Sequence, residues 1–452
     1  MLYLRLFLLL VAAAFLAAPT AARAADKKLN VLLLFSDDQR ADTIAALGNR
    51  HIKTPNLDKL VERGMVFDRA YCMGSMSGAV CIPSRAMLHT GRTLWRTPHN
   101  MADHVTLGQN LRRAGYAAFG TGKWHNGADA YLRSFSHGGG VFLGGMGDHV
   151  GLPVQRIEGE TLTPKLKSDK HSSELFADEA VAFLRSHQSE QPFFCYVAFT
   201  APHDPRQAPA EYRSLYDAAK LPLPANYMPE HPFDNGEMKI RDEKLLPWPR
   251  TPEAVRGELA DYYAMITHMD AQIGRILAAL QESGHADNTL IVFASDHGLA
   301  IGSHGLLGKQ NLYEHSMRAP LIFTGPGIKS GRTSAFAYLL DIYPTICDFV
   351  GMASPQGVDG KSLVPVVRGE TKSVRESIFT AYQDKQRAVR DDRWKLIRYK
   401  TPQGPHTQLF DLSRDPHELR NLAEDSEYAE TLQRLDSLLV QQRTQLGDPV
   451  VP

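Results

Sequence analysis

The chain has 452 residues, room for two or three domains at ~150 residues each. Lys plus Arg and Asp plus Glu are 50 each, so the net charge is zero, and the basic excess of a nucleic-acid binder is excluded. Apolar residues at 43% argue against disorder and 4 cysteines exclude a disulfide scaffold, while 18 histidines invite a search for metal or acid–base chemistry.

The first segment reads as a leader rather than as fold. Met1–Arg5 is short with one positive charge, Leu6–Ala18 is continuously apolar, and Ala22-Arg23-Ala24 has the small-x-small form of a cleavage site. A secretory signal over residues 1–25 is expected, with a periplasmic or secreted product. An uncleaved anchor is the alternative, but the apolar run is shorter than the ~20 residues a span needs. No later segment is apolar enough to span a membrane, so none is expected to hold the mature chain.

Beyond the leader, short apolar runs alternate with amphipathic stretches, the pattern of βα units and a mostly parallel sheet. Asn30–Phe35, Phe193–Phe199, Leu290–Ala294 and Pro320–Phe323 read as buried strands, with Ala117–Gly120 a further one. Val255, Leu259, Tyr262, Ile266, Met269, Ile273, Ile276 and Leu280 form one apolar stripe of a long helix, and His268 and Asp270 beside it read as structural. Glycine-rich Gly138–Gly151 and proline-dense Leu221–Pro252 read as loops, either walls of a site or surface insertions. Cys195 and Cys347 sit in apolar runs as core fillers. After about residue 375, Gln386–Tyr399 and Leu409–Leu412 read as strands and Glu427–Gln445 as an amphipathic helix. The expected division is therefore a body over residues 26–374 and a small second domain over 375–452.

Chemistry gathers at the ends of the expected strands. Asp37 and Asp38 follow Asn30–Phe35, and Asp296 and His297 follow Leu290–Ala294. Ligands of parallel α/β sheets bind outside such carboxyl ends. Adjacent carboxylates there need a cation or a basic group between them, and three carboxylates plus one nitrogen favour Ca²⁺ or Mg²⁺ over zinc. Pro83 is placed to open a helix, which would set Cys81 at an anion-favouring N-terminus, as an activated thiolate.

The string Cys81-Ile82-Pro83-Ser84-Arg85-Ala86-Met87-Leu88-His89-Thr90-Gly91-Arg92 resembles the signature of type I sulfatases, C-x-P-S-R followed by x-x-x-L-x-T-G-R, at every fixed position. The stretch 115–125 resembles the family's second signature, departing at Ala118, where Ser or Thr is usual. Ala201-Pro202-His203 matches its Pro-His loop, residues 305–309 match the stretch ending in its sulfate-gripping lysine, and residues 409–422 resemble its C-terminal signature. The likeness thus spans essentially the whole mature chain.

That resemblance implies an alkaline phosphatase-like α/β fold, a large mostly parallel or mixed sheet sandwiched by helices, with a smaller C-terminal α+β domain of antiparallel sheet plus helix. It implies that Cys81 is oxidised to formylglycine (3-oxoalanine) by a formylglycine-generating enzyme. One hydroxyl of the hydrated aldehyde attacks sulfur, and the other later expels sulfate. Asp37, Asp38, Cys81, Asp296 and His297 would hold Ca²⁺ (or Mg²⁺). Arg85 would stabilise the hydrate, His125 would help deprotonate it, and Lys123, His203 and Lys309 would grip sulfate, with His203 protonating the leaving alcohol. His304, in Ser303-His304-Gly305, is a further candidate for substrate contact. The Asp-His pair at 296–297 is the form of iduronate and glucosamine 6-sulfatases, which points to glycan substrates, so the expected activity is hydrolysis of a sulfated carbohydrate, a small-molecule or oligosaccharide sulfate ester. Rival expectations are a phosphonate or phosphodiester hydrolase of the same superfamily and a non-catalytic sulfoglycan-binding protein with unmodified Cys81.

Overall fold

The computed structural model describes residues 27–449, so the expected leader lies outside the described residues. Its strands are β1 (Asn30–Ser36), β2 (Met65–Tyr71), β3 (Gly74–Ser75), β4 (Ala117–Lys123), β5 (His137–Phe142), β6 (Phe193–Ala198), β7 (Thr289–Ser295), β8 (Leu321–Thr324), β9 (Gly331–Tyr338), β10 (Ile378–Tyr382), β11 (Gln386–Arg390), β12 (Trp394–Thr401) and β13 (Gly404–Asp411), besides two small ribbons within residues 153–167. The helices that matter most are α1 (Pro55–Arg63), α2 (Cys81–Thr90), α3 (Ser172–Ser186), α4 (Pro252–Glu282) and α5 (Ala429–Leu446). None is long and apolar enough to cross a membrane among the described residues.

An eight-stranded sheet runs in the order β9-β2-β8-β7-β1-β6-β4-β5. Only β8 is antiparallel to its neighbours, so the sheet is mixed but mostly parallel. β1 is buried along its whole length. Val31, Leu33 and Phe35 join one core layer while Leu32 and Leu34 join the opposite one, as the two-residue period of a strand requires. Helices α3 and α4 cover the second layer, where Met265, Met269, Ile273 and Ile276 of α4 pack on the sheet. Burial on both faces is what makes a parallel strand a continuous apolar run.

The C-terminal strands form a five-stranded sheet, β13-β12-β11-β10-β3, antiparallel through β10 to β13, with α5 packed on it. Its edge strand β3 comes from the N-terminal half of the chain and pairs in parallel with β10. The core layer of Val31 and Phe35 also continues through Phe379, Leu396, Phe410 and Leu435. The second sheet is thus seated on the first through shared packing.

Two sequence expectations are corrected in detail. Gly138–Gly151 is not wholly a loop, because its first residues form β5, the edge strand beside β4. Ala117–Gly120 extends to a full strand ending at Lys123, and Ala118, the departure from the family pattern, is fully buried within it. Leu221–Pro252 is irregular as read, with one short 3-10 turn at Asp242–Leu245.

Candidate active site

Four parallel strands end at one edge of the sheet, and each delivers a polar group there. β1 is followed by Asp37 and Asp38, β7 by Asp296 and His297, β4 ends in Lys123, and β6 leads into the turn that carries His203. Register aligns them, since Ser36 pairs with Ser295 and Ala198 with Gly122. Helix α2 begins at Cys81 with no side chain capping it, which leaves its free N–H groups and positive dipole end at the site. Asp38 and His125 both have left-handed backbone, φ 67° and 70°, uncommon for residues with a side chain and concentrated at functional sites.

The charges interlock. Lys123 pairs with Asp37, and its Nζ lies 3.5 Å from Cys81 Sγ. Lys309 Nζ donates to both oxygens of Asp38 at 2.8 and 2.9 Å. Arg85, fully buried, donates to the Lys123 carbonyl at 2.8 Å, lies over the Phe35 ring, and brings Nη2 to 3.5 Å from Asp37 and 3.6 Å from Asp296. Burial opposes ionisation of both Asp37 and Asp296. Lys123 and Arg85 overturn this at Asp37, whose carboxyl falls well below the usual range. Asp296, facing the Asp37 charge, is pushed well above it. Burial also opposes ionisation of Cys81, but Lys123 pulls its thiol below the ordinary value, whereas burial pushes Cys72 up to about 12. Of these two cysteines, Cys81 is the chemically activated one.

Hydrogen-bond partners fix the histidine tautomers. His203 Nδ1 donates to the Asp204 carbonyl at 2.7 Å, so Nε2 faces Asp38 Oδ2 at 3.8 Å. His149 Nε2 donates to the His203 carbonyl at 3.0 Å, and its Nδ1 accepts from Ser172 Oγ at 2.8 Å. His125 Nδ1 sits 3.4 Å from Cys81 Sγ. Burial, then the Lys123 and Arg85 charges, lower the His125 pKa to about 3, so its imidazole stays neutral and able to accept a proton. A Cβ at Gly145 would fall 2.6 Å from His125 Nε2, so this loop meets the ring only because the residue is glycine.

The donor set fits a hard divalent cation. His297 Nδ1 donates to the Gly298 carbonyl at 2.9 Å, which leaves a lone pair on Nε2 aimed 3.4 Å from Asp38 Oδ1 and 3.7 Å from Asp296 Oδ1. His297 Nε2, Asp37 Oδ1 and Asp296 Oδ2 are buried with no hydrogen-bond partner among the described residues. Electron-rich atoms facing one another in a dry site are compensated by a bound cation. Asp37, Cys81 and Asp296 converge within ligand distance of one another, as do Asp38, Asp296 and His297. Three carboxylates already meet three cations, Lys123, Lys309 and Arg85, so a divalent ion would leave the site positive and suited to an anionic ester.

His304 is not brought into this cluster. It is 2% exposed, its Nε2 donates to the His417 carbonyl at 3.1 Å, and its ring packs 3.9 Å from that of Tyr313. Loop and C-terminal signature meet there, so the residue holds the two together. Sequence reasoning passed over Asp204 and Gln310, which contact His203 and Lys309 directly, and over Arg241 and Glu243, which contact the loops that carry them. Asp204 and Gln310 adjoin His203 and Lys309 in the chain, but nothing local marks the other two.

A family model described as Sulfatase matches residues 29–352, well over half the chain. The chain belongs to the sulfatase family. It is a sulfuric ester hydrolase. A second model, N-sulphoglucosamine sulphohydrolase C-terminal, matches residues 302–445. The enzyme is 30% identical to a choline-sulfatase of Rhizobium meliloti, over 88% of this chain and 83% of that one. It is 27% identical to an N-acetylglucosamine-6-O-sulfatase of Bacteroides thetaiotaomicron, over 93% and 87%. A solved structure in complex with its substrate D-glucosamine-2-N,6-O-disulfate superposes with a TM-score of 0.79 at 24% identity, covering 94% of this chain and 99% of that one. The phosphonate monoester hydrolase of Agrobacterium radiobacter shares the fold with a TM-score of 0.75, at 24% identity over 93% and 97%.

Proposed function

We propose that the enzyme is an exported sulfatase that removes sulfate from a carbohydrate, using formylglycine made from Cys81 and a Ca²⁺ ion held by Asp37, Asp38, Cys81 in its modified form, Asp296 and His297. The observation that carries this reading is the meeting of Cys81, at the open end of α2, with His125, Lys123 and the unpartnered metal-type donors. Carbohydrate as substrate is supported by the printed activities of the relatives. Export is supported by the apolar run at 6–18 and the small residues at 22–24.

When present, the formylglycine hydrate supplies the oxygen nucleophile, and the cation acidifies it and screens charge on the sulfate. The chain's own groups do the rest. Lys123 and Lys309 place positive charge where the ester oxygens must lie, and in a site closed to water each such contact is worth several-fold more than at a surface. Arg85, held by the Lys123 carbonyl and the Phe35 ring, steadies the residue at 81. His125 accepts a proton there. His203, carrying a proton on Nε2 as well as the one Nδ1 donates to the Asp204 carbonyl, gives the Nε2 proton to the departing alcohol, which an alkoxide leaving group requires, and is left as the neutral Nδ1–H ring.

The test is turnover on a panel of defined sulfated monosaccharides and oligosaccharides beside an aryl phosphonate. Release of sulfate from a sugar at higher kcat/KM than phosphonate cleavage is expected. Faster phosphonate cleavage would instead place the enzyme with the monoester hydrolases that share its fold.

A further inference from the structure

The site's acid and one of its sulfate-gripping lysines come from loops far apart in sequence, and one short segment touches both. On the acid side, Asp204 presents Oδ1 3.4 Å from His203 Nδ1, while its Oδ2 is held by Arg241. The Arg241 guanidinium also donates to Asp242 at 3.1 Å. Asp242 in turn accepts from Gln310 Nε2 at 2.8 Å, and Gln310 Oε1 accepts from the Lys309 backbone N–H at 3.0 Å. The next residue, Glu243, accepts from the N–H groups of Leu307 and Gly308 at 2.8–3.1 Å and is paired with buried Arg250 at 2.7 Å. These residues belong to Leu221–Pro252, the segment without regular periodicity.

The electrostatics explain why an arginine is needed. Asp38, His203 and Asp204 bring their ligand-type atoms within 4.8 Å of one another, so two buried carboxylates share one imidazole. By engaging the outer oxygen of Asp204, Arg241 balances its charge and holds the residue so that its backbone carbonyl takes the His203 Nδ1 proton at 2.7 Å, with the inner carboxylate oxygen 3.4 Å away. The ring is then fixed with Nε2 towards the site. Lysine reproduces the charge but cannot span Asp204 and Asp242 with one planar fork.

We propose that Arg241, acting through Asp204, is a positioning residue for the His203 imidazole and ties it to the loop that carries Lys309. The proposal rests on His203 being the acid that protonates the leaving alcohol. Arg241 is partly exposed and its helical turn is held independently by Glu243, so its removal should spare the fold.

The experiment compares His203→Ala, Arg241→Ala and Arg241→Lys on nitrophenyl sulfate, whose leaving group needs little protonation, and on an alkyl or sugar sulfate, whose leaving group needs much. Arg241→Ala is expected to lower kcat on the sugar sulfate by about 10- to 100-fold, with KM and nitrophenyl sulfate turnover changed less than about threefold. Arg241→Lys should recover part of that loss. If His203→Ala shows the leaving-group dependence and Arg241→Ala loses both substrates equally, or neither, the positioning role is overturned while the acid assignment stands. If His203→Ala itself loses both equally, the acid assignment fails and the proposal fails with it.

Discussion

Asp296 and Lys309 are the residues through which the site is most simply dissected. Asp296 faces two other carboxylates and a histidine lone pair, so Asp296→Ala removes a donor from every cation it helps to hold. The expected outcome is loss of bound calcium by elemental analysis, together with a fall in kcat/KM of more than about 100-fold. Retention of full activity after chelation would contradict the metal assignment. Lys309 neutralises Asp38, and in the proposed reaction it grips the sulfate that all substrates share. Lys309→Ala should therefore impair nitrophenyl and sugar sulfates by similar factors, about 100-fold or more. A loss confined to one leaving group would remove Lys309 from that role.

At the scale of single elements, the helix that covers the sheet is also a clamp. Asp270 of α4 accepts the N–H of Leu57 at 2.7 Å and that of Asn56 at 3.1 Å, and so caps the first turn of α1 from across the fold. Asp270→Ala leaves these donors without their acceptor and should cost about 2–3 kcal/mol in urea unfolding, with kcat of the folded enzyme unchanged. A change below about 0.5 kcal/mol would show that water replaces the carboxylate. The same element shows what the sequence makes legible. The stripe from Val255 to Leu280 announces α4, and the uninterrupted apolar runs of β1, β6 and β7 announce strands buried on both faces. β2 is broken by Asp68 and Arg69, β5 is half glycine, and β9 opens on Gly331-Arg332, so their pairing is decided by neighbours rather than by pattern. The site divides in the same way. Asp37, Asp296 and Cys81 sit at element ends that short windows reveal. Arg241 and Glu243 reach the site only because an aperiodic segment folds back on it.

Over the whole molecule, the two sheets are joined by a buried charge network as well as by shared apolar packing. Glu314 meets Arg390 at 2.8 Å and Lys395 at 3.0 Å, and Lys395 meets Glu418 at 2.7 Å. Lys395→Ala leaves buried Glu418 without its cation and Glu314 with Arg390 alone, and should cost about 3–5 kcal/mol, lowering the one unfolding transition that both sheets share. Two separate transitions in the parent enzyme would contradict a shared core. Buried histidines set the response to acid. Burial lowers His89 to about 3 and His149, His231 and His268 to about 4. The unfolded chain, with values near 6.5, binds more protons than the fold between about pH 6.5 and 4, so stability should fall as pH falls through that window. His89→Phe, which keeps a ring and takes no proton, should flatten part of that slope. A stability that is constant or rises from pH about 7 to 5 would contradict it. The central claim, that turnover depends on a residue at position 81 that is no longer a thiol, is tested most directly by peptide mass spectrometry across residues 70–85 of enzyme whose specific activity has been measured. The expected peptide has lost sulfur and gained a carbonyl oxygen, in a fraction that tracks activity across preparations. Only unmodified cysteine in a fully active preparation would contradict it.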